Sequence, residues 1–360
     1  MNLRRVIWPA LFLFAFQAFS ARAQTAPDNA DASPEAKTFY EQGVKRFLAG
    51  EYDAAIESYK QAARLTPEFA DAHSALCVAY AKLKRFDEAL DACKRAVQLE
   101  PSSSAALRNL GRLFDEMGRG SEAVSTLEEA AQLAPEDAEI RFNLGGACIA
   151  KGRRDAAIES LKKAVELKPD YLKALLSLGA VYFDTGHYKE SISTFRRALA
   201  LKPEQPEVLG SIGVVYNTLG RYDEAVVALN KALELRPDYP AAYYHLGYAY
   251  LKQKKFKQAC EASRRAVALE PDCAQAYNNL GVALHNSGRR REAVEAFNKA
   301  VGLNPDLAES RYNLSVLYLE MRDRGAALQQ QRALQGLDPS LAEKLFDMIY
   351  KDRVVNVSRR

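Results

Sequence analysis

The stretch PEVLGSIGVVYNTLGRYDEAVVALNKALELRPDY, residues 206–239, is one complete structural unit. Leu209, Ile212, Gly213 and Tyr216 recur at i, i+3, i+4 and i+7, which is one face of a helix. Gly220-Arg221-Tyr222 interrupts the pattern, and Ala225, Leu229 and Ala232 then mark the inner face of a second helix that Pro237 closes. The unit is a helical hairpin of 34 residues. That same interval of 34 separates Pro67, Pro101, Pro135, Pro169, Pro203, Pro237, Pro271, Pro305 and Pro339 without exception. A hairpin this small cannot bury its apolar face alone and becomes stable by stacking on copies of itself.

Small residues recur where helices must approach closely. Gly43, Gly111, Gly145, Gly179, Gly213, Gly247 and Gly281 share the eighth place of the unit. A glycine inside a helix costs nearly 1 kcal/mol against alanine, so a neighbouring side chain is expected against each. Alanine holds the twentieth place from Ala55 to Ala327, with Ser191 the exception. Large residues such as Leu110, Leu144, Tyr182, Tyr216 and Phe114 fill the remaining space. Gly50, Gly118, Gly152, Gly186, Gly220 and Gly288 close first helices where a left-handed residue is wanted. The Glu, Asp or Ser after each ladder proline is placed to cap the next helix or to favour its positive end.

These residues resemble the tetratricopeptide repeat (TPR) family, whose Leu-Gly, Tyr, Ala, Phe and Pro pattern over 34 residues is met from Ala36 to Pro339. Departures are local: Arg46 in unit one, His73 and Cys77 in unit two, Arg141 in unit four, Arg311 and Ser315 in unit nine. The expected fold is all-α, a right-handed superhelical solenoid of nine helix-turn-helix repeats. Leu341, Leu345, Phe346 and Ile349 continue the apolar pattern as one C-terminal capping helix over 340–352, followed by a basic tail, 353–360.

The beginning of the chain reads differently. Arg4 and Arg5 precede the uncharged stretch Val6–Phe19, and Ala21-Arg22-Ala23 gives a small-residue cleavage signature. Residues 1–23 are expected to be a signal peptide cleaved after Ala23, and the stretch is short for a membrane span. Residues 24–35, rich in Ala, Asp, Ser and Pro, are expected to be a flexible leader. The implied location is periplasmic or secreted, with no membrane span after cleavage. The chain carries a net charge of +4, three units of which come from arginines in the first 23 residues. The repeats are thus near neutral and lack the basic face that nucleic acid requires.

Five cysteines stand at 77, 93, 148, 260 and 273, with no C-x-x-C pair to suggest zinc or redox chemistry. Cys77, Cys93 and Cys148 occupy places filled elsewhere by packing residues, and the favoured reading is small buried hydrophobes. Cys77 and Cys93 lie on facing helices of one unit, so an oxidising compartment could join them, subject to geometry.

The resemblance implies that first helices line a concave groove, with the second, fifth, sixth, ninth and twelfth places pointing into it. The sixth place reads Glu41, Ala75, Asn109, Asn143, Ser177, Ser211, His245, Asn279, Asn313. From unit three onward every residue can hydrogen-bond, and asparagine offers both donor and acceptor to the main chain of an extended peptide. The row is similar to the asparagine ladder in the repeats of O-linked N-acetylglucosamine transferase. The simpler reading is that Asn-Leu-Gly is common family sequence. Phe142, Tyr244, Tyr248 and Tyr312 flank the row, either to take apolar side chains of a ligand or to pack on neighbouring helices. Arg108 and Arg112 are the sharpest positive feature, available to an acidic group or paired with Asp115 or Glu116.

The sequence holds none of the phosphate-binding, zinc-protease or nucleophile-elbow motifs. His245 and His285 lack convergent carboxylates or thiols for a metal. The expectation is a non-enzymatic scaffold without cofactor that binds a protein or peptide segment in its groove. The alternative is an assembly factor of an envelope complex, or a self-oligomer, acting through convex or end faces.

Overall fold

The computed structural model describes residues 32–357, with side chains to residue 350. The expected signal peptide, all but the last four residues of the expected leader, and residues 358–360 lie outside the described residues. Every regular element among the described residues is a helix. The chain divides between Leu201 and Lys202 into two compact units.

The N-terminal unit holds five hairpins. They are α1 (Pro34–Leu48) with α2 (Tyr52–Leu65), α3 (Ala70–Lys82) with α4 (Phe86–Leu99), and α5 (Ser104–Glu116) with α6 (Gly120–Leu133). Then come α7 (Ala138–Ala150) with α8 (Arg154–Leu167), and α9 (Leu172–Asp184) with α10 (Tyr188–Leu201). The C-terminal unit holds four more. They are α11 (Pro206–Thr218) with α12 (Tyr222–Leu235), α13 (Pro240–Lys252) with α14 (Phe256–Leu269), α15 (Ala274–Asn286) with α16 (Arg290–Leu303), and α17 (Ala308–Glu320) with α18 (Arg324–Gln335). The long α19 (Pro339–Val357) closes it. It runs past the expected 340–352, so residues 353–357 of the expected tail are helical. Within each unit the second helix of one hairpin packs on the first helix of the next. From α3 to α9, and again from α11 to α19, successive first helices also touch, so they form one face.

The eighth-place glycines are explained by their partners sixteen residues on. A Cβ added to Gly111, Gly145 or Gly213 would lie 2.6 Å from the side chain of Leu127, Leu161 or Leu229. At Gly179 and Gly281 it would meet the rings of Phe195 and Phe297, also at 2.6 Å. These partners are fully buried. Burying such a side chain stabilises by roughly 1.5–3 kcal/mol, which outweighs the helix cost of the glycine. Ser191, the exception at the twentieth place, is buried and donates its hydroxyl to the Gly179 carbonyl at 2.7 Å.

Unit two departs from this pairing and corrects the favoured cysteine reading. Cys77 and Cys93, also sixteen apart, are joined in a disulfide with Cα atoms 5.0 Å apart. The covalent bond takes the place of the glycine–large-residue contact. Cys148 and Cys260 are buried free thiols, as the packing reading expects for Cys148.

Turn chemistry holds for stops and changes for starts. Each of the nine first helices is followed by a left-handed residue: six glycines with φ between 72° and 82°, and Lys84, Lys254 and Arg322 at 58°, 59° and 63°. The residue after the ladder proline, however, is not the cap. The capping position lies two after the proline, and only Ser103 and Asp137 there accept a backbone N–H. Phe69, Tyr171, Gln205, Tyr239, Cys273 and Leu307 stand there without a side-chain cap. Packing between hairpins, rather than capping, therefore fixes most helix starts. Pro339 differs from its predecessors in being the first residue of a helix, with Asp338 Oδ1 accepting from the Leu341 N–H.

No helix among the described residues is long and apolar enough to cross a membrane.

Candidate functional site

The sixth-place row falls on first helices in both units, and its members differ. In the N-terminal unit Asn109 on α5 donates Nδ2 to Ser74 Oγ of α3 at 2.9 Å. Asn143 on α7 and Ser177 on α9 are half-buried. In the C-terminal unit Ser211, His245 and Asn279 are buried. Ser211 donates its hydroxyl to the Glu207 carbonyl one turn back. His245 Nε2 and Asn279 Nδ2 have no hydrogen-bond partner. Asn313 Nδ2 and Ser310 Oγ both donate to Asn278 Oδ1, at 3.2 and 3.0 Å. The row is thus not a uniformly open polar strip. Burial drives the His245 imidazole down to about 4, so it is neutral at ordinary pH.

The charged feature at Arg108 and Arg112 is an ion-pair network rather than a free positive patch. Arg112 lies 3.6 Å from Glu116, one of the acids expected from the sequence. Arg108 instead crosses to the next hairpin, 3.2 Å from Glu139 and 3.6 Å from Asp137. Lys82 on α3 and Lys173 on α9 belong to the same neighbourhood. Both are held below the usual lysine range, by burial first, with the Arg112 charge acting on each. Glu116 is raised by burial, against the pull of Arg112 and Lys82. Lys82 on α3, Arg112 on α5 and Lys173 on α9 therefore lie along one first-helix face.

The flanking aromatic residues have intramolecular partners. Phe142 packs on Tyr171 with ring centroids 5.0 Å apart, and Tyr244 meets His245 edge-on at 4.8 Å. Tyr248 faces Tyr222 and lies under the Lys252 ammonium. Tyr312 packs with the α19 cluster of Ala342, Leu345 and Ile349, and its hydroxyl points to Met348 Sδ. His285 is hydrogen-bonded to Glu320 at 2.9 Å, whereas His245 is buried. Among the described residues no group of three or more His, Cys, Asp or Glu could hold a metal.

Sequence reasoning passed over Asn217, Asn278, Ser310, Lys82 and Lys173. Asn217 stands at the twelfth place, which the groove pattern already points inward, so its position was the available signal. Lys173 at the second place and Asn278 at the fifth also stand on that inward pattern, whereas Lys82 at the thirteenth and Ser310 at the third lie outside it.

Stacked two-helix units with glycine-to-large contacts define an α-helical repeat protein. Tetratricopeptide repeat models match residues 43–84, 70–103, 108–171, 149–212, 213–254, 244–308 and 286–342. The chain belongs to the tetratricopeptide repeat family, whose repeats mediate protein–protein interactions. Among solved structures, a chain of the APC/C hetero-tetramer Cut9–Hcn1 is 16% identical, with 91% of this chain and 79% of that one covered and a TM-score of 0.54. PilF of Pseudomonas aeruginosa is 24% identical over 59% of this chain and 96% of its own, with a TM-score of 0.52. MamA of Desulfovibrio magneticus RS-1 is 27% identical over 47% of this chain and 96% of its own, with a TM-score of 0.44. Cut9–Hcn1 and PilF share the fold. No curated protein matches the chain.

Proposed function

We propose that the chain is an exported, non-enzymatic scaffold that holds a peptide segment along its first-helix faces. The observation that carries the reading is the sixth-place row from Asn109 to Asn313, a residue able to hydrogen-bond in every unit from the third on. Asparagine and serine are mediocre helix formers, and a merely solvated face would favour Lys, Glu or Gln. The disulfide Cys77–Cys93 supports export, because such bonds persist in oxidising compartments. Neither His245, buried and neutral, nor His285, bonded to Glu320, stands in a catalytic constellation. Crosslinking in the native cell followed by pull-down tests the reading. Asn143→Ala together with Asn279→Ala should weaken recovery of the captured partner, and an unchanged partner set would sink groove binding.

A second reading, assembly through the outer or end faces, is favoured by one feature. Phe346 and Met348 on α19 are 47% and 45% exposed. Light scattering across a concentration series separates self-assembly from a monomer.

A further inference from the structure

The nine hairpins share one frame, and three of them depart from it twice. Hairpins one, three, four, five, six and eight set an eighth-place glycine against a large side chain sixteen residues on, and each turns on a left-handed glycine. Hairpins two, seven and nine lack that large side chain, carrying Cys93, Ser263 and Gln331 in its place. They are the same three whose turns put Lys84, Lys254 and Arg322 at positive φ. A side chain there strains the turn, because its Cβ crowds the following carbonyl. The two departures fall together.

Two of the three hairpins are repaired. In hairpin two Cys77 and Cys93 are covalently joined. In hairpin nine Ser315 Oγ donates to the Ala327 carbonyl at 3.0 Å, and Gln331 Nε2 donates to the Ala342 carbonyl of α19 at 3.3 Å. Hairpin seven, α13 with α14, has neither device. A Cβ on Gly247 would lie 2.7 Å from Ser263 Oγ, and that buried hydroxyl has no hydrogen-bond partner. The other unmet buried side-chain atoms among the described residues lie around it. His245 Nε2 and Gln253 Oε1 belong to hairpin seven itself, and Asn217 Oδ1 and Asn279 Nδ2 stand on the first helices of the hairpins on either side. Each such atom gives up its hydration without a bond in return. The deficits are centred on one hairpin.

We propose that hairpin seven is a joint of the C-terminal unit: α13 and α14 open ahead of the hairpins on either side, which stay folded. In a stacked array each hairpin leans only on its neighbours, and local opening starts where the fewest interactions resist it. Hairpins six and eight keep fully buried Leu229 and Phe297 against Gly213 and Gly281. The run of touching first helices from α11 to α19 is therefore unbroken only while hairpin seven is closed. Anything bound across that run holds the joint shut, since it favours the closed form alone.

Native-state hydrogen exchange on the full chain, in denaturant well below the unfolding midpoint, tests the joint. Protection of the helical amides of α13 and α14 should be lower than that of α11, α12, α15 and α16 by about ten-fold or more. Ser263→Leu supplies the missing partner of Gly247 and should raise protection in α13 and α14 about ten-fold. Lys254→Gly relieves the turn and should raise it about five-fold. Gly247→Cys with Ser263→Cys puts a cysteine pair at the places that Cys77 and Cys93 hold in hairpin two, and serves if leucine overfills the site. Once oxidised, that pair should bring α13 and α14 level with their neighbours, and reductant should undo the gain. A native chain in which α13 and α14 are as protected as the flanking hairpins overturns the joint. So does a native difference that survives both Lys254→Gly and the oxidised cysteine pair, because the opening would then arise neither from the turn nor from the Gly247–Ser263 contact.

Discussion

The first-helix face of the N-terminal unit gathers charges, whereas that of the C-terminal unit buries neutral polar groups. In the former, Arg108, Arg112, Lys82 and Lys173 are offset by Glu116, Asp137 and Glu139. In the latter, Asn217, His245 and Asn279 are buried, His245 against Tyr244, each with one atom unmet. Both faces are built on the same hairpin, so the difference is not architectural. It teaches that one repeat frame can carry either paired charges or buried neutral polar groups on its first helices. The hairpin contact itself is varied in the same way: leucine or phenylalanine against glycine in most units, and a covalent bond in unit two.

The largest expected effect breaks that last contrast. Reducing Cys77–Cys93, or replacing both by alanine, reopens a loop closed across a separation of 16 residues. Loss of such a link costs about 3 kcal/mol. Denaturant unfolding with and without reductant should show it, and hydrogen exchange should place the loosening in α3 and α4 while α11–α19 keep their protection. The variant Cys77→Gly with Cys93→Leu restores the pairing of Gly111–Leu127, Gly145–Leu161 and Gly213–Leu229. It should recover most of the loss even in reductant. A variant no better than the double alanine would show that the hairpin contact is not interchangeable between units.

The second prediction turns on His245. Its folded pKa is pushed down to about 4 by burial, below the ordinary histidine value near 6.5. Between those values the unfolded chain binds a proton that the folded chain refuses, so stability rises with pH in that window. The contribution is intact above pH 6.5 and is lost progressively as pH falls toward 4, by about 3 kcal/mol in all. Unfolding at pH 7 and at pH 4.5 should therefore show a steep loss in the native chain and a clearly shallower one in His245→Phe. Equal slopes would mean that the imidazole is reached by water, which would also remove the basis for regarding its Nε2 as unmet.

Much of this frame was legible beforehand, for a physical reason. The period of 34 records a contact that each unit must repeat, so Gly179 and Phe195, or Gly281 and Phe297, announce themselves by recurrence. The stops of the first helices were equally plain, except that Lys84, Lys254 and Arg322 take the left-handed turn without glycine. The helix starts were read only in part: the residue after each ladder proline is not the cap, and packing of the preceding hairpin does most of the work assigned to one. At the site, periodicity located the sixth-place row but said nothing of burial. Ser211, His245 and Asn279 are buried, and no single position records that. The Cys77–Cys93 bond was an open geometric question in sequence. Only the facing of α3 and α4 at 5.0 Å answers it.

The smallest effect probes the charged face itself. Arg108 spans from α5 to the start of α7, where Asp137 also caps the helix by accepting from the Glu139 and Ile140 N–H groups. Its side chain is 22% exposed and its partners 33% and 48%, so water screens the attraction considerably. Such pairs contribute about 0.2–1 kcal/mol, and Arg108→Gln should cost no more than that at low salt. Raising ionic strength from about 0.05 M to about 0.5 M shortens the screening length to a few ångströms. The deficit should then shrink, because the native chain loses what the variant already lacks. Asn279→Leu, in the uncharged face, should show no such salt dependence. A salt-insensitive Arg108→Gln would place its cost in the packing of the arginine stem. A loss well above 1 kcal/mol would instead mean that the network acts as one unit. Lys82 and Lys173 would then be holding the α3–α9 face together rather than decorating it.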